Sequence, residues 1–276
     1  WRGIKLVGDF HGSLVKEMVS HSYLGGGVLR KIFQWIEHRI DNLGDAAVTS
    51  SWENTEEIAR IRTRGSTEVL LDGVRVEMFD HLPEKNILRR EYGIPEDKIV
   101  VTYTGALIPN KGIQFFFFFF PLVLEKYPAA HFLISGFPYD QIEHRIRGQA
   151  WEKNVSVVSP LPYFILPKIL KLSDIGVDPK EASVRQASGK TLQYMGAGLA
   201  IACFDTRNNR EYLGEGGSFA QDISGAGLAE AIGRLVESPE RRERYGTMNR
   251  ERAKQFTWVQ PAEKLETIYR QLTANN

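Results

Sequence analysis

Short apolar runs alternate with charged segments of helical period along almost the whole chain, and this alternation constrains the fold most. The runs are rich in Val, Ile and Leu, as strands buried in a sheet are. Strands that alternate with helices are joined by crossovers, which predict parallel sheets covered on both faces. The predicted fold class is therefore α/β and doubly wound. The predicted strands are residues 4–9, 45–50, 68–73, 98–105, 131–136, 154–159, 174–178 and 199–205, and the predicted helices include residues 29–41, 54–62, 141–147 and 228–237.

The domain boundary is expected near residues 78–98, a stretch with two prolines, few apolar residues and many charges. Such a stretch is typical of a linker, here with one exposed helix. Five predicted strands follow it and make a complete Rossmann-like unit, whereas only three precede it. We therefore expect a partial N-terminal domain over 1–92 and a complete domain over 93–257. The chain closes on an amphipathic helix, predicted within 258–276.

Composition excludes several classes of protein. A net charge of +1 over 276 residues is not that of a nucleic-acid-binding protein. The single cysteine, Cys203, lies in an apolar run and is expected to be a buried, inert thiol. The longest apolar run, Phe115 to Leu124, is about half of what a membrane-spanning helix needs. Its six consecutive phenylalanines would reach every face of a helix, and we infer no function from them.

The triplet Gly189-Lys190-Thr191 resembles the end of a nucleotide-binding P-loop. A P-loop requires another glycine five residues before Gly189, where this chain has Val184. The loop must also follow its strand directly, but about ten residues separate the predicted strand 174–178 from this triplet. The triplet is therefore not predicted to be a P-loop.

Two segments are nevertheless candidates for phosphate binding. Ser188 is a good N-cap, and the helix after it would direct its free N–H groups and Lys190 toward an anion. In the second segment a strand ends at Gly105, and Lys111-Gly112 precedes a helix. Both segments follow the carboxyl ends of strands in one sheet, where ligands bind in such folds. An ordinary capped helix with an exposed lysine remains the alternative.

In their order along the chain, several segments resemble the retaining glycosyltransferases of family 4, among the group 1 glycosyl transferases. The resemblance is carried by VVTYTGALIPNKGI, HFLISG, LPKILKLSDIGVDP, SGKTLQYMGAGLAIACFD and FTWVQPAEKLETIYRQL. It implies the GT-B fold, with two Rossmann-like domains and a C-terminal helix, 258–276, that returns to the N-terminal domain. Trp1 then falls inside that first domain, so the chain is expected to lack its start.

The resemblance also implies a function. A sugar would move from a UDP- or GDP-activated donor to a glycan or lipid-linked acceptor, with retention of configuration and without a cofactor. No Asp-x-Asp motif occurs, so no bound metal is expected. The family's commonest bacterial context, polysaccharide assembly, implies a cytoplasmic enzyme at the inner face of the membrane. Peripheral membrane contact through residues preceding Trp1 stays open, and no nucleic-acid partner is expected.

Site residues follow from the resemblance residue by residue. Lys111 resembles the lysine that holds the donor diphosphate, and Gln193 occupies the position of a glutamate that contacts the donor ribose. His11 resembles a catalytic histidine that faces the donor sugar, with a loop histidine bonded by backbone as the alternative. The full set of expected donor-binding residues is Gly105, Lys111, Gly112, Arg185, Ser188, Gly189, Lys190, Thr191 and Gln193.

The chain departs from the family pattern at three positions. Arg185 and Gln193 replace two glutamates, and Ala106 stands where the family often has arginine. Glutamine can still bond a ribose hydroxyl, and Arg185 could contact phosphate instead. Two alternatives therefore stay open, a GT-B sugar-nucleotide epimerase and a non-catalytic binding protein. We expect this chain alone to bind donor weakly and turn over poorly.

Overall fold

The computed structural model describes residues 3–20, 23–180 and 186–274 of the chain. These residues form two compact units. The first contains the described residues up to Gly73, the short segment Gln186–Ala187 and the residues from Phe256 onward. The second contains Val74 to Lys180 and Ser188 to Gln255. Each unit is an α/β structure with an all-parallel sheet.

The first unit is built on three parallel strands in the order β1-β2-β3. Ala46 on β2 lies opposite Val7 on β1 and Ser66 on β3, so the three strands are in close register. Three helices connect or precede these strands, and a fourth is formed by the end of the chain. The elements are β1 (Val7–Phe10), α1 (Leu14–Ser20), α2 (Val28–Asp41), β2 (Ala46–Thr49), α3 (Trp52–Ile61), β3 (Ser66–Val69) and, at the end of the chain, α12 (Val259–Ala274).

The C-terminal helix α12 packs on the sheet of the first unit. Ile268 is buried with Ala46 and Val48 of the central strand, and Leu265 and Leu272 pack beside it. A period of three to four residues puts these side chains on one helical face, which is why the sequence predicted an amphipathic helix. The predicted return of this helix to the N-terminal strands is confirmed.

The second unit is built on six parallel strands in the order β6-β5-β4-β7-β8-β9. The sequence predicted five of them and missed β9, whose four residues Gly-Ser-Phe-Ala include no β-branched side chain. The strands are β4 (Ile99–Thr104), β5 (Ala130–Ser135), β6 (Val155–Val158), β7 (Ile175–Asp178), β8 (Ala200–Phe204) and β9 (Gly217–Ala220). The helices are α4 (Lys85–Glu91), α5 (Phe116–Lys126), α6 (Asp140–Ile146), α7 (Leu166–Lys171), α8 (Gly189–Gly196), α9 (Arg207–Leu213), α10 (Gly225–Val236) and α11 (Pro239–Ala253).

The phenylalanine run forms part of the core of the second unit. Phe116, Phe119 and Phe120 are buried on the inner face of α5, and the Phe120 ring lies 4.3 Å from that of Phe132 on β5. Phe118 points outward and is 65% exposed. Phe115 and Phe117 pack against the same core, so five of the six residues serve packing, which the sequence could not assign because six identical residues carry no periodicity.

The division between the units falls after Gly73, so residues 74–92 belong to the second unit rather than to the first domain expected from the sequence. Helix α4 explains the difference. Leu88 is fully buried with Ile94 and Val100, and Arg89 is 4% exposed. The expected exposed helix is thus anchored in the core by its apolar side and by one buried cation.

Two composition-based predictions can be compared with the described residues. Cys203 is fully buried on β8, and burial raises the pKa of its thiol well above the ordinary value, as an inert cysteine requires. Over residues 3–20, 23–180 and 186–274, no helix combines the length and the apolar composition needed to cross a membrane.

Candidate functional site

The candidate site lies at the carboxyl edge of the six-stranded sheet, between β4 and β7. These two strands are hydrogen-bonded neighbours, with Val101 opposite Ile175. From β4 the chain runs outward in one direction through β5 and β6, then returns to β7 and continues the other way. The gap between β4 and β7 is therefore the topological switch point, where open α/β sheets bind their ligands.

Glycine is required where the chain leaves β4. Gly105 has a φ of +127°, a conformation that side-chain-bearing residues rarely adopt. A β-carbon at this position would lie 3.6 Å from Cε of Lys190, so the space beside the Gly105 backbone borders the Lys190 head group. The structure thus brings together two of the residues predicted from separate segments.

Lys190 is largely buried, although the sequence left an exposed lysine open as the alternative. Its side chain is only 10% exposed, and its Nζ lies 3.8 Å from the centroid of the Tyr103 ring. The nearest carboxylate oxygen, Oδ1 of Asp178, is 3.7 Å away, and Nζ has no hydrogen-bond partner among the described residues. The Lys190 ammonium therefore lies between β4 and β7 with N–H donors that bond to none of the described residues.

Asp178 lies at the candidate site, and sequence reasoning did not single it out. It is the last residue of β7 and is fully buried. Its Oδ2 accepts a 3.0 Å hydrogen bond from the Thr191 hydroxyl, and its Oδ1 accepts one of 3.4 Å from the Lys180 N–H. Burial, and then the Asp178 charge, raise the pKa of Tyr103. A carboxylate as the last residue of a predicted strand was the available signal.

Helix α8 begins at Gly189, as the sequence predicted, but its cap differs from the expected one. Ser188 is the N-cap residue with extended backbone, yet its hydroxyl makes no capping hydrogen bond. Only its carbonyl takes part, by accepting from the Thr191 N–H at 2.9 Å. The prediction of a serine side-chain cap is wrong. The first turn is fixed instead by the bond from Thr191 to Asp178.

The second candidate loop lies against the start of the same connection. Lys111, which is half-buried, ends a single 3-10 turn, Pro109–Lys111, and Gly112 follows with a φ of +86°. A β-carbon on Gly112 would come within 2.1 Å of the Pro179 carbonyl oxygen, so this position admits glycine alone. Pro179 is the residue after Asp178. The two loops therefore converge at the end of β7, as predicted from the parallel sheet.

Gln193 follows one turn after Gly189 on α8. Its side chain is partly buried, and its Oε1 is shielded from solvent without a hydrogen-bond partner among the described residues. A buried acceptor without a donor is unfavourable unless a ligand supplies one. Arg185, the remaining expected donor-binding residue, lies outside the described residues. The ten-residue separation of β7 from α8 is confirmed and excludes a P-loop.

His11 belongs to the first unit, directly after β1. Its side chain is 67% exposed, and its Nε2 lies 3.2 Å from Oδ2 of Asp9. The two residues border a cavity of about 330 Å³ beneath α12, whose lining also includes Asp72 and Trp258. A histidine beside a carboxylate at the end of a parallel strand can hold or accept a proton.

No group of three or more His, Cys, Asp or Glu side chains in the part of the chain that the structure describes is arranged to hold a metal ion. Asp178 and Lys190 place opposite charges at the end of β7, beside the partial positive charge of the α8 N-terminus. The Lys190 charge and the helix N-terminus suit an anionic ligand. The unpaired Oε1 of Gln193 suits a ligand that also carries a hydroxyl donor.

Solved structures define the class of fold. The chain superimposes on sucrose-phosphate synthase from Thermosynechococcus elongatus with a TM-score of 0.80 and 20% identity, covering 98% of this chain and 68% of that one. HepE from Anabaena, solved in complex with UDP-glucose, gives a TM-score of 0.79 and 15% identity over 98% of this chain and 72% of that one. At these identities the likeness concerns the fold, which is that of the GT-B glycosyltransferases.

Sequence comparison then gives the family. The sequence model of the family described as glycosyl transferases group 1 matches residues 98–238, just over half of the chain. The chain belongs to this family. It is also 28% identical over 227 residues to the D-inositol 3-phosphate glycosyltransferase of Corynebacterium glutamicum, which covers 75% of this chain and 52% of the relative. The chain spans about half the length of the curated relatives it matches.

Proposed function

We propose that the second unit binds the donor of a glycosyltransferase, a UDP- or GDP-activated sugar. The first unit contributes His11 to sugar transfer. The acceptor is a glycan or a lipid-linked glycan, and transfer proceeds with retention and without a bound metal. Membership of the group 1 glycosyl transferases supports this class of reaction. The relative solved with UDP-glucose supports this class of donor.

The observation that carries the proposal is the Lys190 head group at the switch point. A nine-tenths-buried ammonium that makes no hydrogen bond to the described residues is unfavourable by itself and becomes favourable once an anion accepts its protons. The space beside it adjoins the Gly105 backbone, which carries no side chain and so lets a phosphate approach closely. A diphosphate meets both requirements.

Transfer of a sugar from such a donor leaves negative charge on the departing nucleoside diphosphate. Fixed positive charge lowers the barrier because it acts where charge develops and needs no reorganisation. Lys190 and the α8 N-terminus supply that charge in this proposal, with Lys111 on the neighbouring loop. The Gln193 side chain forms a hydrogen bond with a ribose hydroxyl, either by donating its amide N–H or by accepting through its carbonyl oxygen.

Calorimetric titration with UDP, GDP and ATP tests the donor site. We expect saturable binding of UDP or GDP, and a loss of affinity in Lys190→Gln of about tenfold to a hundredfold, the range of one to two charge-assisted hydrogen bonds. Lys85→Gln is the matched control. It removes a lysine that also pairs with an aspartate, at the opposite end of β7, and should leave nucleotide affinity unchanged.

Other results would contradict the proposal. Stronger binding of ATP than of UDP or GDP would exclude a sugar-nucleotide donor, and an equal loss of affinity in both lysine variants would exclude Lys190 as a ligand. Release of UDP or GDP from its sugar only when acceptor is added separates a transferase from an epimerase. The anomeric configuration of the product, read by NMR, and activity in excess EDTA test retention and metal independence.

A further inference from the structure

We propose that Asp178 is the resting counter-ion of Lys190, and that Lys190 exchanges it for the phosphate of a nucleoside diphosphate. Asp178 then competes with the ligand for the same ammonium ion. Its function is to hold Lys190 in place while the site is empty and to let the product nucleoside diphosphate leave. This inference rests on the proposed function, because it concerns the same anion site.

The distance between the two groups is the first argument. Lys190 Nζ and Asp178 Oδ1 are 3.7 Å apart, close enough to attract strongly within the protein but too far for a hydrogen bond. The ammonium ion therefore keeps its proton donors unused while its charge is balanced. A phosphate beside Gly105 can accept those protons without first breaking a hydrogen bond between lysine and aspartate.

The anchoring of Asp178 is the second argument. The hydroxyl of Thr191 and the backbone N–H of Lys180 both donate to its carboxylate. These two bonds do not involve Lys190. The carboxylate therefore keeps both hydrogen bonds and its position when Lys190 moves toward a ligand. An exchange of partners needs such a carboxylate, because an unanchored one would follow the lysine.

Asp174, at the other end of β7, shows what a purely structural carboxylate looks like in this protein. Its oxygens accept bonds from Lys85 at 2.7 Å, from Arg89 at 2.6 Å and from the Val100 N–H at 2.7 Å. All three are short, direct hydrogen bonds. Both cations at this position are hydrogen-bonded directly to the carboxylate, whereas Lys190 lies too far from Asp178 for a hydrogen bond.

Asparagine at position 178 is the direct test. Asp178→Asn keeps the size and the acceptor for Thr191 but removes the charge that opposes an incoming phosphate. We expect the variant to bind UDP about tenfold more tightly, with a slower dissociation rate, and to melt at a lower temperature when empty. Addition of UDP should restore the melting temperature. A carboxylate with a structural role alone would instead give weaker binding.

Two further variants separate exchange from simple repulsion and from general damage. In a Lys190→Gln background, Asp178→Asn should give a smaller gain in UDP affinity, because no lysine remains to exchange partners. An equal gain in both backgrounds would overturn the exchange. Asp174→Asn is the matched control, since it removes a paired, mostly buried carboxylate immediately before the same strand and should lower stability without changing UDP affinity.

Wild-type protein gives an independent measurement if Asp178→Asn does not fold. The lysine ζ-nitrogen signal of Lys190, assigned through Lys190→Gln, should shift when UDP binds, whereas that of Lys85 should not. Binding of UDP without a shift at Lys190 would overturn the inference and leave a nucleotide site of another composition. Absence of any UDP or GDP binding to wild-type protein would instead overturn the proposed function itself.

Discussion

The two ends of β7 place similar charges in different surroundings. At the amino end, Asp174 binds two cations and a backbone N–H through short hydrogen bonds. At the carboxyl end, Asp178 balances Lys190 across 3.7 Å, and Nζ of that lysine has no hydrogen bond among the described residues. One strand thus carries a completed polar network at one end and an uncompleted one at the other.

The two carboxylates differ in how completely their surroundings are hydrogen-bonded. Burial raises the pKa of Asp174, but Lys85, the Val100 N–H and Arg89 outweigh it and hold the pKa below its usual value of 3.8. The contacts of ionised Asp174 with these groups therefore stabilise the folded state above the usual carboxyl pKa. This stabilisation is lost as the pH falls through the lower pKa of the folded state. At the carboxyl end, the Lys190 ammonium and the shielded Oε1 of Gln193 lack hydrogen-bond partners among the described residues, and in the proposed function a ligand supplies them.

Removal of Arg89 should produce the largest effect and would break the network at the amino end. Arg89 is 4% exposed and donates to Asp174 and to the carbonyls of Leu172, Glu96 and Lys98. Arg89→Ala removes the buried donor to the Leu172 carbonyl and one of the two cations that balance Asp174, and it should lower the free energy of unfolding by about 3–5 kcal/mol, measured in urea.

The Arg89→Ala protein that remains folded should bind UDP as wild type does, because the amino end has no part in the ligand site. The exposed Arg90, which pairs with Glu96 at the surface, provides the control. Arg90→Ala should change stability by less than about 1 kcal/mol. A loss of nucleotide affinity in folded Arg89→Ala would show that the two ends of β7 are not independent.

Acid should weaken the amino end next, through His131. This histidine lies on β5 opposite Val100, and its Nε2 is 2.8 Å from the Ser156 hydroxyl. Burial, with the nearby charges of Lys98 and Arg89, lowers its pKa from 6.5 to about 4. The folded state thus resists protonation more than the unfolded chain does, so stability should fall between pH 6.5 and 4 by on the order of 2 kcal/mol.

Comparison of unfolding curves at pH 7 and pH 4.5 measures this loss. His131→Gln keeps a hydrogen-bonding side chain and should remove most of the pH dependence in this range, whereas the exposed His144→Gln should retain it. Equal pH dependence in wild type and His131→Gln would assign the acid sensitivity to other groups.

The smallest expected effect is that of a methyl group added at Gly105, at the carboxyl end of the sheet. Gly105→Ala adds a methyl group at ordinary contact distance from Lys190, so its cost comes from the φ of +127° and should be about 1 kcal/mol of stability. UDP affinity should also fall, by a few-fold, because the methyl group occupies the approach to the backbone. Gly93→Ala, with a φ of +65° and open space around it, should lose similar stability and no affinity.

Much of the fold could be predicted because it depends on local pattern. Eight of the nine strands found in residues 3–20, 23–180 and 186–274 were predicted within a few residues of their observed positions. The missed strand β9 is held by its pairing with β8 rather than by its own composition. The segment around α4 was assigned to a linker because its charges dominate locally, yet Leu88 and Arg89 are buried in the second unit.

The site was predicted in part. Lys190 and Gly105 were found from helix and strand ends, which have recognisable residue types. Asp178 was not, because its importance comes from a contact with residues twelve and thirteen positions later, Lys190 and Thr191. The side-chain cap expected of Ser188 is absent, since the bond from Thr191 to Asp178 fixes the helix start instead.

The α/β class, the parallel strands and the sheet edge chosen for the candidate site could all be derived from the sequence. These follow from hydrophobic period and from crossover geometry, which act over a few residues at a time. Folding places Lys190 in a buried position beside Asp178 rather than on the exposed face of a capped helix, and the sequence did not show this. Burial and charge balance depend on which side chains meet when strands and helices pack, and no local pattern specifies those meetings.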